Sequence, residues 1–462
     1  MSPPMIMNPF APPSRRDMLR TTVNGFGYLA LAGLEAEAAG KQSNPMAPKA
    51  GHYSATAKRV IFLFMQGGVS HVDTFDYKPR LNTDDGKPFG AGGKATIFGS
   101  PWKFARHGQS GQWVSELFPH VARHVDELCV ITSMHTDAQA HGTAVPIIHT
   151  GNALQVRPSM GAWVLYGLGS ETADLPGFIA MNPLRNIGGQ NHGSGFLPAA
   201  YQATMVRPGV KGKEGEPVPN LAPSHVNPAQ QRLQLDLLGK INDQRLARDQ
   251  VNSDLEGVIH SYEMAFRMQS AVPSLMDLKT ESPATLKMYG IGETETDDFA
   301  RQCLYARRFA EAGVRFIEIG QQGWDHHFDL KDLLSESAAK VDKPIAALLT
   351  DLKQRGLLDD TLVVWAGEFG RTPFAQGRGG RDHNNRGFTI WMAGGGVKAG
   401  HRHGVTDDFG SEAVEGRVHI HDLHATMLHL LGLDHEKLTY RYSGRDFRLT
   451  DVHGNVVKEI LA

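Results

Sequence analysis

Thiol chemistry is almost missing from this chain: only two cysteines occur in 462 residues. Each sits in an apolar run, ELCVITSM around Cys129 and RQCLYARRF around Cys303, as small buried hydrophobes do. A disulfide framework and a thiolate zinc site are thereby excluded, and any metal has to be held by histidine and carboxylate. Net charge is missing too. Lys plus Arg number 47 against 49 Asp plus Glu, a formal charge of -2. No global basic field exists to collect nucleic acid, which is not expected as a partner. After the first forty residues no run reaches the roughly eighteen apolar positions that a membrane span needs, so an integral membrane protein is not expected either.

Histidine, by contrast, is abundant at 22 residues. The remaining composition, 41% hydrophobic and 21% charged, is that of a soluble globular protein large enough for one big α/β domain with insertions or for two or three ordinary ones.

The N-terminus reads as a separate unit. Arg15 and Arg16 precede apolar Met18 and Leu19; a weakly apolar VNGFGYLALAGL and a small-residue AEAAG follow. The order of these regions resembles a twin-arginine export signal over residues 1–40, with Met18 where Phe is more usual and Arg20 where Lys is. Cleavage is expected near Ala38 or Ala39, and the mature protein in the periplasm or secreted. Residues 41–57, rich in Pro, Ser and Ala, read as a linker.

RVIFLFM (Arg59 to Met65) is apolar without alternation, as a strand buried on both faces of a parallel sheet should be. Similar runs recur at Leu128 to Met134, Val314 to Gly320, Leu362 to Glu368 and Phe388 to Gly395. Helix-period segments such as FARQCLYARRFAEAG and AAKVDKPIAALLTDLKQRG separate the later ones. Strands alternating with helices predict a doubly wound α/β sheet. The domain is expected over residues 58–450, with a mostly helical insertion at about 200–295 and a C-terminal tail at 451–462.

Open α/β sheets bind ligands beyond the carboxyl ends of their strands, and the segments there are polar in a consistent way. The first strand leads into Ser70, His71, Asp73 and Asp76, and the second into His135, Asp137, His141 and Thr143. The third leads into GWDHHFD, and the fourth ends in GEFGRTP with Glu368 and Arg371. The loop before the fifth holds Arg381, Asp382, His383 and Asn384. Taken singly, each has an ordinary reading: a solvated turn, a helix cap at His141-Gly142-Thr143, an ion pair at Glu368 and Arg371. Their convergence on one edge points to a metal or polar active site. Nitrogen and oxygen donors suit zinc or manganese, or calcium where oxygen dominates. Two such cations would clamp the oxygens of a phosphoryl or sulfuryl transfer, with Arg371, Arg381 and Arg386 as candidate anion clamps.

FLFMQGGVSHVDTFDYKP, HGTAVPIIHTG, GWDHHFDL, DTLVVWAGEFGRTP, GRDHNNRGFTIWMAGGGVKAG and LTYRYSGRDFRLTDVHGNVVKEIL together resemble the exported bacterial family known as domain of unknown function 1501. That family is labelled sulfatase-like and placed in the alkaline phosphatase-like superfamily. The resemblance implies that fold. It also implies Asp325 with His326 or His327, Glu368 and His383 as metal ligands, Asp73 and His71 as further candidates, and His141 or Thr143 at the nucleophile position. No Cys-x-Pro-x-Arg occurs, so the usual sulfatase nucleophile is absent; the first strand also ends in Gln66 where the superfamily has a carboxylate. The expected function is metal-dependent hydrolysis of a sulfate or phosphate ester, on a small molecule or a glycan. The alternative is a secreted binding or assembly protein that keeps the fold without hydrolysis.

Overall fold

The computed structural model describes residues 45–90, 94–182, 190–207, 218, 226–249 and 253–462. The stretch read as an export signal, and part of the linker, lie outside these.

The first apolar run forms strand β1 (Arg59–Met65), after which come a small hairpin, β2 (Phe104–His107) and β3 (Gln112–Ser115), and then β4 (Leu128–His135). The chain continues through β5 (Phe178–Met181), β6 (Thr204–Val206), β7 (Phe316–Gln321) and β8 (Thr361–Ala366). A second hairpin, β9 (Gly370–Gln376) and β10 (Gly380–Asn384), precedes β11 (Phe388–Ala393) and β12 (His401–His403). The central sheet runs β12-β4-β11-β8-β1-β7-β5-β6, with Val418–His419 also paired to β4. All five apolar runs read from the sequence are strands of this sheet.

One direction differs from a uniformly parallel sheet. β1 is parallel to β7 and β8, but β11 is antiparallel to both β4 and β8. A short hairpin, with no crossover helix, leads from β8 into β11, and a strand entered that way must run backwards. The loop before β11 therefore reaches the same edge as the loops after β4, β7 and β8.

Side chains alternate between two cores. Ile61, Leu63, Ile317, Val363 and Trp365 face one; Val60, Phe62, Phe64, Leu362 and Val364 face the other. Helices α1 (His141–Thr150) and α2 (Met160–Leu168) cover the second face. A pair of helices, α3 (Pro228–Asp249) and α4 (Ser253–Met276), interrupts the alternation of strands and helices and is pinned together by Arg232 on Glu263 at 2.8 Å. α5 (Asp297–Glu311) and α6 (Leu330–Gln354) cover the first face, and α7 (Ile420–Leu430) returns to the second. The result is a three-layer α/β fold. No helix of the described residues is long and apolar enough to cross a membrane.

His424 on α7 is fully buried and contacts the Ile148 carbonyl at 2.8 Å through Nε2. Burial first, then neighbouring His421, brings its pKa down to about 3. Between the ordinary value of about 6.5 and that figure the unfolded chain binds a proton that the folded chain refuses. The neutral ring's contribution is therefore whole above about pH 6.5 and is lost as pH falls through about 3, at up to about 1.4 kcal/mol per pH unit. Urea midpoints are expected to drop between pH 7.5 and pH 5, less steeply for His424→Gln; equal slopes in the two proteins would assign the acid sensitivity elsewhere.

Candidate metal centre

Four side chains meet at the carboxyl edge. His141 is the first residue of α1 after β4, Asp325 and His327 lie in the loop after β7, and His383 is on β10. Each of the four offers one ligand atom, and those atoms lie within 4.8 Å of one another. The loops are held tightly. Gly67 sits at a φ of 124°, and a Cβ there would fall 2.4 Å from the Asp325 amide nitrogen. A Cβ at Gly380 would fall 2.0 Å from the His327 carbonyl carbon. Both approaches require glycine.

The three imidazoles are oriented alike. Nδ1 of His141 meets Glu368 Oε1 at 2.6 Å, Nδ1 of His327 meets the Gln376 side-chain oxygen, and Nδ1 of His383 meets the Gln139 carbonyl at 2.7 Å. All three partners are acceptors, so each ring proton belongs on Nδ1 and each Nε2 presents a lone pair. Those Nε2 atoms converge. His327 and His383 stand 3.0 Å apart at Nε2. Asp325 Oδ1 lies 2.8 Å from the first and 3.2 Å from the second, and Asp325 Oδ2 lies 3.2 Å from His141 Nε2. Lone pairs facing one another at these distances repel unless a proton or a cation lies between them. Imidazoles fixed at Nδ1 by outer acceptors are how proteins present Nε2 to a metal. The residues present fit a divalent ion with three nitrogen donors and one oxygen donor.

Without a cation, protons take up the mismatch. Burial alone would make His141 harder to charge, but Asp325 and Glu368 outweigh it and push its pKa up to about 9. Asp325 would likewise be raised by burial; hydrogen bonds from His141, His383 and Arg371 instead hold it far below the ordinary carboxylate range.

The other residues singled out from sequence surround this group. Glu368 is wholly buried behind His141 and also accepts the Gly67 N–H at 3.0 Å. Arg371 is equally buried; its guanidinium donates to the Gly67, Gly68 and Arg381 carbonyls and to Asp325, which fixes the aspartate and leaves the arginine closed to solvent. Thr143 stands on the first turn of α1 with its hydroxyl on the Ala140 carbonyl at 3.0 Å. The helix itself begins at His141, three residues before the start a cap at Thr143 would set, with no side-chain cap. Asp73 forms a bidentate pair with Arg381, at 2.7 and 3.1 Å. His71 Nε2 meets the Gly410 carbonyl at 2.7 Å. His326 turns back toward Ser337 at 3.4 Å, and burial lowers its pKa to about 4. Arg386 pairs with Glu412. The structure thus brings His141, Asp325, His327 and His383 together, and places Glu368 and Arg371 directly behind them.

Three contributors had no sequence signal that picked them out. Gln376 orients His327 with its side chain from a strand end, where a glutamine is unremarkable, and Gln139 orients His383 from a loop through its main-chain carbonyl, which no residue type signals. Phe369 packs its ring 4.9 Å from His141 and 4.5 Å from His383, closing one side of the group.

The model of the family described as "Protein of unknown function (DUF1501)" matches residues 57–461. The chain belongs to this family. No curated protein matches it. Among solved structures, a sulfatase from Pseudoalteromonas sp. is similar at 12% identity and a TM-score of 0.38, over 94% of this chain and 75% of that one. A lipoteichoic acid synthase from Listeria monocytogenes matches at 11% identity and 0.37, over 89% and 79%. A protein of the alkaline phosphatase superfamily from Vibrio parahaemolyticus matches at 11% and 0.36, over 84% and 70%. The functional case for this family member therefore rests on its own side chains.

Proposed function

We propose that this DUF1501 protein is a metal-dependent hydrolase of sulfate or phosphate esters, with His141, Asp325, His327 and His383 holding a divalent ion. The observation that carries the reading is the shared orientation of the three imidazoles, every Nδ1 turned to an acceptor and every Nε2 turned toward Asp325. Three nitrogen donors favour zinc, with manganese next, over the oxygen-seeking calcium. A bound ion would supply Lewis-acid stabilisation of a sulfuryl or phosphoryl oxygen and an acidified water. The chain does the rest: Glu368 keeps the His141 proton on Nδ1, Arg371 locks the Asp325 carboxylate, and Phe369 keeps water from one side. The side chains of Asp325 and His327 are 44% and 31% exposed, so an ester has an open approach. The Thr143 hydroxyl is turned to the Ala140 carbonyl, and among the described residues no hydroxyl or thiol hydrogen-bonds to the four donors, so this reading takes water as the attacking group. The exported location read from residues 1–40 belongs to the same proposal.

That missing hydroxyl also favours a second reading, a metal-holding binding protein without turnover. Metal analysis of the purified chain, followed by assays on aryl sulfates, aryl phosphates and aryl phosphonates before and after chelation, separates the two. Retained metal with chelator-sensitive turnover of one ester class is expected. Retained metal with no turnover supports the binding reading, and a protein that takes up no divalent metal would overturn the site itself.

A further inference from the structure

Behind the open edge lies a second, closed group of donors. Glu318 sits in the middle of β7, between apolar neighbours paired with Phe62 of β1 and Ala180 of β5. A carboxylate in that position is costly unless it is well compensated. Two histidines meet it: His149 Nε2 lies 3.0 Å and His192 Nε2 2.8 Å from the same oxygen, Oε1. All three residues are buried, with exposures of 2%, 4% and 3% for His149, His192 and Glu318, and their ligand atoms lie within 4.8 Å of one another.

The tautomer of His149 is fixed. Its Nδ1 meets the Val145 carbonyl at 2.8 Å, so a neutral ring keeps its proton there and turns a lone pair on Nε2 toward Oε1. That contact is favourable if a proton lies between the two atoms, on the ring or on the carboxyl group, or if a cation lies among the three donors. A second proton gives an imidazolium and a carboxylate in a site without solvent, where desolvation of the pair offsets much of its attraction. A cation bound by all three donors satisfies the His149 lone pair and the carboxylate together, and His192 joins them with its proton on Nδ1.

We infer that His149, His192 and Glu318 form a second divalent-metal site, structural in character and distinct from the one at the sheet edge. Two imidazole nitrogens and one carboxylate oxygen supply three of the four donors that zinc takes in a tetrahedral site. Bonds of about 2.0–2.1 Å at tetrahedral angles set ligand atoms about 3.3 Å apart, so the contacts here need to open by only a few tenths of an ångström. The site ties three segments together: strand β7, the loop carrying His192, and α1. His141, at the other end of α1, lies eight residues from His149, about 12 Å along the axis at 1.5 Å per residue. An ion at His149 would therefore anchor the helix that presents His141 to the edge.

The test counts metal in the whole purified chain by mass spectrometry, for wild type, Glu318→Gln and His383→Gln, with crystals of wild type and His383→Gln measured at the zinc absorption edge. Zinc is the probe, supplied alone. Two equivalents are expected in wild type and one in each variant, with an anomalous peak between His149 and His192 that His383→Gln retains. Should Glu318→Gln fail to fold, the wild-type peak decides by itself. Metal content unchanged by Glu318→Gln, or the absence of any peak at His149 and His192, would overturn the inference and leave an imidazolium–carboxylate cluster. Metal content unchanged by His383→Gln would instead count against the edge site, so the two failures are distinguishable.

Discussion

Asp325→Ala is expected to lower kcat/KM toward the best ester by about 10³-fold or more, since a ligand-held ion is worth several kcal/mol to a transition state and about 4 kcal/mol is a factor of 10³. The aspartate contributes in three directions, to His141, to His327 with His383, and to Arg371. Its loss leaves three lone-pair nitrogens and a buried guanidinium without their common partner. The variant should lose edge-site metal on dialysis. Glu368→Gln, which keeps the size and one acceptor oxygen but loses the charge behind His141, should hold the ion 10- to 100-fold more weakly, in the range for outer partners of ligating histidines. Competition with a chromogenic chelator reads both values. Asp325→Ala protein that holds metal and turns over ester like wild type would remove the aspartate from the centre.

The largest stability effect is expected at Asp73 and Arg381. Both side chains are completely buried, and the guanidinium also donates to the Thr372 and Phe98 carbonyls at 3.1 and 3.0 Å. Removing one member strands a charge in the core, which costs about 3–5 kcal/mol. Arg381→Met should show that loss in chemical denaturation. Asp73→Leu combined with Arg381→Met should recover much of it, because hydrophobic replacement of both partners removes the stranded charge. A loss below about 1 kcal/mol for Arg381→Met would mean that water reaches the pair, as it does at surface salt bridges. The effect extends to the edge, since Arg381 and His383 lie on the same strand, β10, whose register shifts between them.

The strands were legible because a strand buried on both faces cannot alternate. RVIFLFM is buried at all seven positions, and the run and the element coincide. Strand direction was not legible, because an apolar run carries no polarity; only the hairpin Gly370–Asn384 reveals that β11 must reverse. Asp325 and His327 were legible because charged residues clustered after an apolar run stand out, and His383 because the polar GRDHNNRGF leads into one. Glu318 was not legible in this way, because it lies inside a strand. Its signal was a single carboxylate within the otherwise apolar FIEI. Gln139 and Gln376 were invisible for a different reason: Gln376 acts through one side-chain hydrogen bond, and Gln139 through its main-chain carbonyl and its side-chain amide, at a geometry that no spacing encodes.

The hairpin β9–β10, with the turn just before it, has a consequence for how the molecule comes together. Glu368, Arg371, Gln376 and His383 all belong to this one stretch, and local hairpins form in roughly microseconds. Its counterpart His141 is 227 residues from Glu368, and contacts between such distant parts of a chain form slowly. One of the four donors, His383, thus sits in a stretch that can form locally, and the other three reach it when the sheet closes. The ability to hold a cation on all four donors then reports that long-range closure is complete.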